Sequence, residues 1–244
     1  ISLNKDRFHS DQQDEMSGSY LGPSFSNSDI EDFLNDCGAI FHKLDEQQLI
    51  EKVSSSLVEE KAIGWFQGRM EFGPRALGNR SIIADPRSKF MQKQLNLKVK
   101  YRESFRPFAP AILEEDKDDW FENCYKNPYM LFVSYISKKY RKKRYQKKDF
   151  FENSSSIVPA ITHVDYSSRV QTVNRKQNPS FYKLISEFKK ITKIPMLVNT
   201  SFNVRGEPIV CTPKDAYNCF MSTDLDLLVL NNYMILKENP HNGH

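Results

Sequence analysis

Apolar residues recur at helical spacing in the first part of the chain. Ile30, Phe33 and Leu34 follow Ser26-Asn27-Ser28-Asp29, a run of capping residue types, and predict a helix. Leu49, Val53 and Leu57 share one face of a second predicted helix over 45–60. The period then changes. Residues 62–66 are an apolar run stopped by Gln67-Gly68, the pattern of a buried strand. Helical spacing returns over 88–99 through Phe90, Met91, Leu95 and Leu97. Residues 107–113, PFAPAIL, predict an edge strand, because proline cannot donate to a ladder. Further strands are predicted at 129–136, 158–164, 170–173 and 195–198. Helices are predicted at 180–192, with Leu184, Ile185 and Phe188 inward, and at 213–221. Residues 225–230 and 233–236 predict a closing hairpin. Strands and helices alternate, so the fold class is α/β (α+β), a twisted mixed β-sheet flanked by helices.

The chain of 244 residues fits one large domain or a core with an appendage, and carries no internal repeat. Residues 1–20 read as a polar linker, 21–237 as the folded domain and 238–244 as a polar tail. Mean hydropathy is −0.61, and no apolar run reaches the roughly 18 residues of a spanning helix, so no membrane partner is expected. The chain opens on Ile1 with no signal-peptide pattern, and we expect a piece of a longer protein. Cys37, Cys124, Cys211 and Cys219 make no CxxC, which suggests reduced thiols in a cytoplasmic protein. The five histidines show no metal-ligand spacing, so no metal held by protein ligands alone is expected.

The net charge of +4 favours anionic ligands without calling for nucleic acid. SKKYRKKRYQKK at 137–148 is the densest basic run, eight cations in twelve residues. A solvated, self-repelling loop explains it better than a phosphate-polymer surface, because only two tyrosines interleave the charges.

Candidate chemistry gathers in four segments. Behind the strand at 62–66 come Arg69, Glu71, Arg75, Arg80, Asp85 and Arg87, spaced by Gly68, Gly73 and Gly78. Glycines admit close backbone approach and guanidinium forks match phosphate oxygens, so the segment predicts an anion-gripping loop. Lys100, Arg102 and Arg106 precede an apolar strand, and His163 and Arg169 flank a polar turn. Ser201 and Asn203 follow a buried strand and offer donors without charge. Such groups at strand ends, with no nucleophile or metal cluster, predict catalysis by positioning and charge neutralisation.

GWFQGRMEFGPRALGNRS, YRESFRPFAPA, THVDYSSRVQTV and NTSFNVRGEPIV together resemble the C-terminal half of the O-carbamoyltransferases, NodU-type and antibiotic-tailoring enzymes, over roughly residues 15–237. The resemblance implies a YrdC-like fold that forms carbamoyl-adenylate from carbamoyl phosphate and ATP, with pyrophosphate as product. Mg2+ would come with the nucleotide. It also implies a separate N-terminal actin-like domain, in cis or trans, that passes the carbamoyl group to an acceptor hydroxyl. None of that domain's motifs occurs here, so residues 1–20 become a linker from it. Lys100-Tyr101-Arg102 and Ser201-Phe202-Asn203 match the KxR and SxN signatures of YrdC-like proteins. On this basis Arg75, Lys100 and Arg106 are the expected catalytic residues, and Arg102, His163, Arg169, Ser201 and Asn203 join them in binding substrate. Where the family usually has Gly after His-Val-Asp, this chain has Tyr166, to which positive φ is costly. An RNA- or nucleotide-binding module and an inactive partner subunit of a split enzyme are the alternative functions.

Overall fold

The computed structural model describes residues 16–101, 103, 106–142 and 156–237. Eight strands form the main sheet: β1 (His42–Lys43), β2 (Ile63–Phe66), β3 (Arg80–Ala84), β4 (Ala109–Leu113), β8 (Gln171–Val173), β9 (Met196–Ser201), β10 (Leu227–Leu230) and β11 (Tyr233–Leu236). Their spatial order is β1-β11-β10-β2-β3-β9-β4-β8. β10/β2 and β4/β8 are parallel and the other pairs antiparallel, so the sheet is mixed. A second sheet holds β5 (Phe121–Glu122), β6 (Val133–Ile136) and β7 (Ser167–Arg169) in that order. Every residue of β2, β3 and β10 is buried, as strands covered on both faces require.

Helices form where periodicity and caps coincide. α1 (Asn27–Asp36) and α2 (Glu46–Val58) both start in reciprocal capping boxes, Ser26 with Asp29 and Asp45 with Gln48. α3 (Lys89–Gln94) runs on into a π-helical turn, Leu95–Val99, which delivers Lys100. α4 (Lys117–Trp120) is one turn long. α5 (Pro179–Thr192) carries Phe181, Leu184, Ile185 and Phe188 into the core and packs on α2, β4 and β9. α6 (Pro213–Met221), capped by Thr212 and Asp215, packs on β2 and β10.

Several local expectations are corrected. Residues 67–87 are not one loop, since β3 lies inside them; the charge of Arg80 concealed the strand. Residues 107–113 hold an interior strand rather than an edge strand, with β4 between β9 and β8. Pro110 is tolerated because the β8 ladder begins only at Ala111, so no partner on that side needs its missing N–H. Residues 158–164 make a 3-10 turn, Pro159–Ile161, because proline at its first position fixes φ and cannot donate. Of 129–136 only Val133–Ile136 is strand. The end of the expected linker at 1–20 is tied to the fold: Phe72 N–H donates to Ser19 O at 2.6 Å, and Tyr20 Oη donates to Leu77 O at 2.8 Å. Tyr166 does adopt the left-handed region, at φ +69°, with the Arg141 guanidinium 4.9 Å from its ring.

Candidate active site at the end of strand β9

The segment between β2 and β3 is shaped from within. Glu71, 4% exposed, accepts the backbone N–H groups of Leu77 (2.7 Å), Asn79 (2.8 Å) and Arg80 (3.3 Å) on one carboxylate oxygen. Burial pushes its pKa up, and these N–H groups oppose the shift. Gly78 sits at φ +107° against the Phe181 ring, where a Cβ would come within 2.2 Å of ring carbon. No side chain fits there, so the glycine serves close packing rather than anion approach.

Three of the four arginines in this segment are not aimed at a ligand. Arg80 is fully buried, 3.5 Å over the Phe66 ring, and donates to the carbonyls of Gln67 (2.8 Å), Asn79 (2.9 Å), Gly68 (3.2 Å) and Pro23 (3.3 Å). Desolvation lowers its pKa to about 10. Arg69 donates to Leu21 O and Gly22 O, and Arg87 grips Asp85 through both Nε and Nη2. The expectation of an arginine cluster with one anionic target is corrected to a single residue, Arg75. The others satisfy carbonyls and a carboxylate that the turn would otherwise leave unmet.

Arg75 lines a cavity of about 200 Å3 with Pro74, Phe108, Met130, Arg169 and Asn199, floored by Thr200 and Ser201 of β9. β7 supplies Arg169 and the β2–β3 connection supplies Arg75. Among the described residues neither guanidinium has a hydrogen bond or an ion pair, and Arg169 Nε is buried without an acceptor. Desolvation lowers the Arg169 pKa, and the Arg75 charge lowers it further. Two like charges facing one cavity with no carboxylate between them make a site short of negative charge.

A second cavity, about 320 Å3, shares Thr200 and Ser201 with the first and adds Lys100, Glu103, Arg106, Asn203 and Arg205. Lys100 is 8% exposed and turns its ammonium to protein oxygens: Ser201 O, Ser201 Oγ (3.3 Å), Asn203 O (2.9 Å) and Asn203 Oδ1 (3.0 Å). The Ser201 hydroxyl donates to Asn203 Oδ1 at 2.6 Å, and Asn203 Nδ2 donates to Glu207 O at 2.7 Å. The KxR lysine and the SxN pair thus meet, but their donors hold one another. Arg106 pairs with Glu103 at 2.8 Å, both 54% exposed, a pairing that an anionic ligand can displace at small cost. Arg102 lies outside the described residues. His163 is exposed, contacts Asp165 at 3.1 Å and lines neither cavity. Ser167 holds the Asp165 pKa down to about 2. Of the basic run, Lys139 pairs with Asp119 and Arg141 with Glu122, while residues 143–148 lie outside the described residues.

Asn199 and Gln171 lie within the quoted motifs but were not among the expected site residues. Asn199, 1% exposed, donates through Nδ2 to Ala76 O (3.1 Å) and Gln171 Oε1 (2.6 Å), and Gln171 Nε2 donates to Leu77 O (2.7 Å). The available signal was a polar residue inside the apolar run of β9, a position that burial tolerates only with partners.

Comparison with known proteins identifies the family. The family model described as "Carbamoyltransferase C-terminus" matches residues 54–237. An uncharacterized protein of Synechocystis sp. is 50% identical over 92% of this chain and 38% of its own length. Nodulation protein NolO of Bradyrhizobium diazoefficiens is 42% identical over 89% of this chain and 38% of its own. The 3'-hydroxymethylcephem-O-carbamoyltransferase of Amycolatopsis lactamdurans is 38% identical over 66% of this chain and 28% of its own. The chain therefore spans well under half the length of these relatives. Among solved structures, full-length HypF in its phosphate- and nucleotide-bound form aligns with 78% of this chain and 26% of its own, at TM-score 0.47 and 16% identity. The chain belongs to the carbamoyltransferase C-terminus family.

Proposed function

We propose that, as the C-terminal domain of a carbamoyltransferase, this chain forms carbamoyl-adenylate from carbamoyl phosphate and ATP at the two joined cavities. The observation that carries this is the pair Arg75 and Arg169, facing one cavity with no acidic partner among the described residues. Two anions about 4 Å apart at an effective dielectric near 20 repel by roughly 4 kcal/mol, and fixed guanidinium groups offset such repulsion. The cavity of about 200 Å3 suits the small acyl phosphate, and the larger one, rimmed by Arg106 and Arg205, suits the nucleotide phosphates. Lys100 is a positioning residue in this proposal, bracing Ser201 and Asn203 where the cavities meet.

Atom balance sets the order of events. Carbamoyl phosphate loses its phosphoryl group to water, giving carbamate and inorganic phosphate. A carbamate oxygen then attacks the α-phosphorus of ATP, and pyrophosphate leaves. Mg2+ accompanies the nucleotide in this proposal; among the described residues no three His, Cys, Asp or Glu side chains converge on a metal site. Transfer to an acceptor hydroxyl falls to an N-terminal domain of the kind the longer relatives have room for. A cytoplasmic location is part of this proposal and follows from the scattered, unpaired cysteines.

Pyrophosphate exchange into ATP that requires carbamoyl phosphate tests the proposal. Exchange by this chain, lost on Arg75→Ala and Arg169→Ala with the fold intact, is expected. A folded chain that binds neither ligand at millimolar concentration would refute it.

A further inference from the structure

The cavity that holds Arg75 and Arg169 is rich in donors, but one acceptor in its wall has no donor. Asn199 Oδ1 is buried and unpartnered, on a side chain only 1% exposed. Its orientation is fixed rather than arbitrary. Asn199 Nδ2 lies against Ala76 O, a backbone carbonyl that can only accept. Its other contact, Gln171 Oε1, is itself fixed, because Gln171 Nε2 lies against Leu77 O, a second acceptor-only group. Two backbone carbonyls thus set both amides, and a flip of either would put nitrogen or oxygen against its like. A buried acceptor left unmet beside a cavity is costly unless a ligand donor meets it.

Arginines grip the phosphate of any acyl phosphate equally well. What separates a carbamoyl from an acetyl group is NH2 in place of CH3, two N–H donors on nearly the same volume. We propose that Asn199 Oδ1 accepts a hydrogen bond from the carbamoyl amino group and so selects carbamoyl phosphate over acyl phosphates that lack an N–H. Gln171 is a positioning residue: it does not line the cavity, and it holds Asn199 Nδ2 so that the amide oxygen is left without a protein donor. The inference rests on carbamoyl phosphate being the ligand of this cavity. A site built to pair a buried polar group rejects the analogue that leaves it unpaired far more strongly than an apolar pocket rejects one that differs by a methylene.

The test is calorimetric titration of this chain with carbamoyl phosphate, acetyl phosphate and inorganic phosphate in parallel. The parent is expected to bind carbamoyl phosphate at least about tenfold more tightly than acetyl phosphate. Asn199→Ala should bring the two within about threefold, while Arg75→Ala weakens both alike and preserves their ratio. Gln171→Leu, which leaves every cavity-lining side chain in place, should also lower the ratio. This variant decides the matter should Asn199→Ala fail to fold. A parent that binds both acyl phosphates equally, or an Asn199→Ala chain that keeps the full preference, overturns the inference and leaves the proposed function standing. A folded parent that binds neither acyl phosphate overturns both.

Discussion

Replacing Lys100 with Met separates two roles for the KxR lysine. A lysine that grips ligand phosphate can be removed with little effect on folding; a lysine that braces the β9 end cannot. Methionine keeps most of the aliphatic stem and removes only the ammonium. Asn203 O and Ser201 O then lose a charged donor at a position 8% exposed, and Asn203 Oδ1 loses one of its two donors. Hydrogen bonds to charged groups contribute about 1.5–3 kcal/mol each, but Ser201 O keeps a bond from Asn203 N and the β9 end can relax toward water. The expected net loss is about 2–3 kcal/mol, read as a lowered urea midpoint with an unchanged slope. ATP affinity, titrated well below the melting temperature, should fall as well, because Ser201 and Asn203 shift. If Lys100→Met unfolds within about 0.5 kcal/mol of the parent while ATP affinity drops tenfold or more, the ammonium serves the ligand directly and the brace is refuted.

Arg169→Met should leave the melting temperature unchanged or raise it, since it removes an unpaired buried Nε and the repulsion from Arg75, yet abolish exchange; a clear drop in melting temperature would contradict the unpaired state. Gly78→Ala should cost about 3 kcal/mol or more, positive φ and overpacking against Phe181 together, whereas Gly38→Ala, at φ +66° with nothing within 4 Å, should cost about 1 kcal/mol. Equal losses in denaturant unfolding would disprove the clash. Glu71 has a folded pKa above its unfolded value, so its contribution is fully present below the unfolded value near 4.5 and is lost as pH rises through the folded one. Glu71→Gln lacks that titration. The stability of the parent relative to this variant should therefore decline from pH 4 to pH 7, and a difference that rises with pH would reverse the sign.

Elements whose signals were local were legible in the chain. α2 and α5 follow from apolar spacing and capping residues a few positions apart, and β9 and the β10–β11 hairpin from short apolar runs. β3 was missed because its first residue is charged, and Arg80 is acceptable in a buried strand only where the Phe66 ring and four carbonyls surround it. Pro110 misled for the same reason: whether a strand needs every N–H depends on which neighbours its ladder has.

By itself the sequence determined the family, the alternation of strands and helices, and the motifs that carry charge to strand ends. Those depend on residue type and on separations of a few positions, which helix and strand periods read directly. Only the tertiary structure decided which polar groups face a cavity. Lys100 lies 101 residues from Ser201, and Asn199 lies 123 from Ala76. Whether an arginine satisfies its own turn, as Arg80 does, or is left unpaired at a cavity, as Arg169 is, depends on acceptors that only folding brings within reach. A hydrogen bond acts over about 3 Å and carries no sequence period, so long-range partners of this kind leave no local signal in the chain.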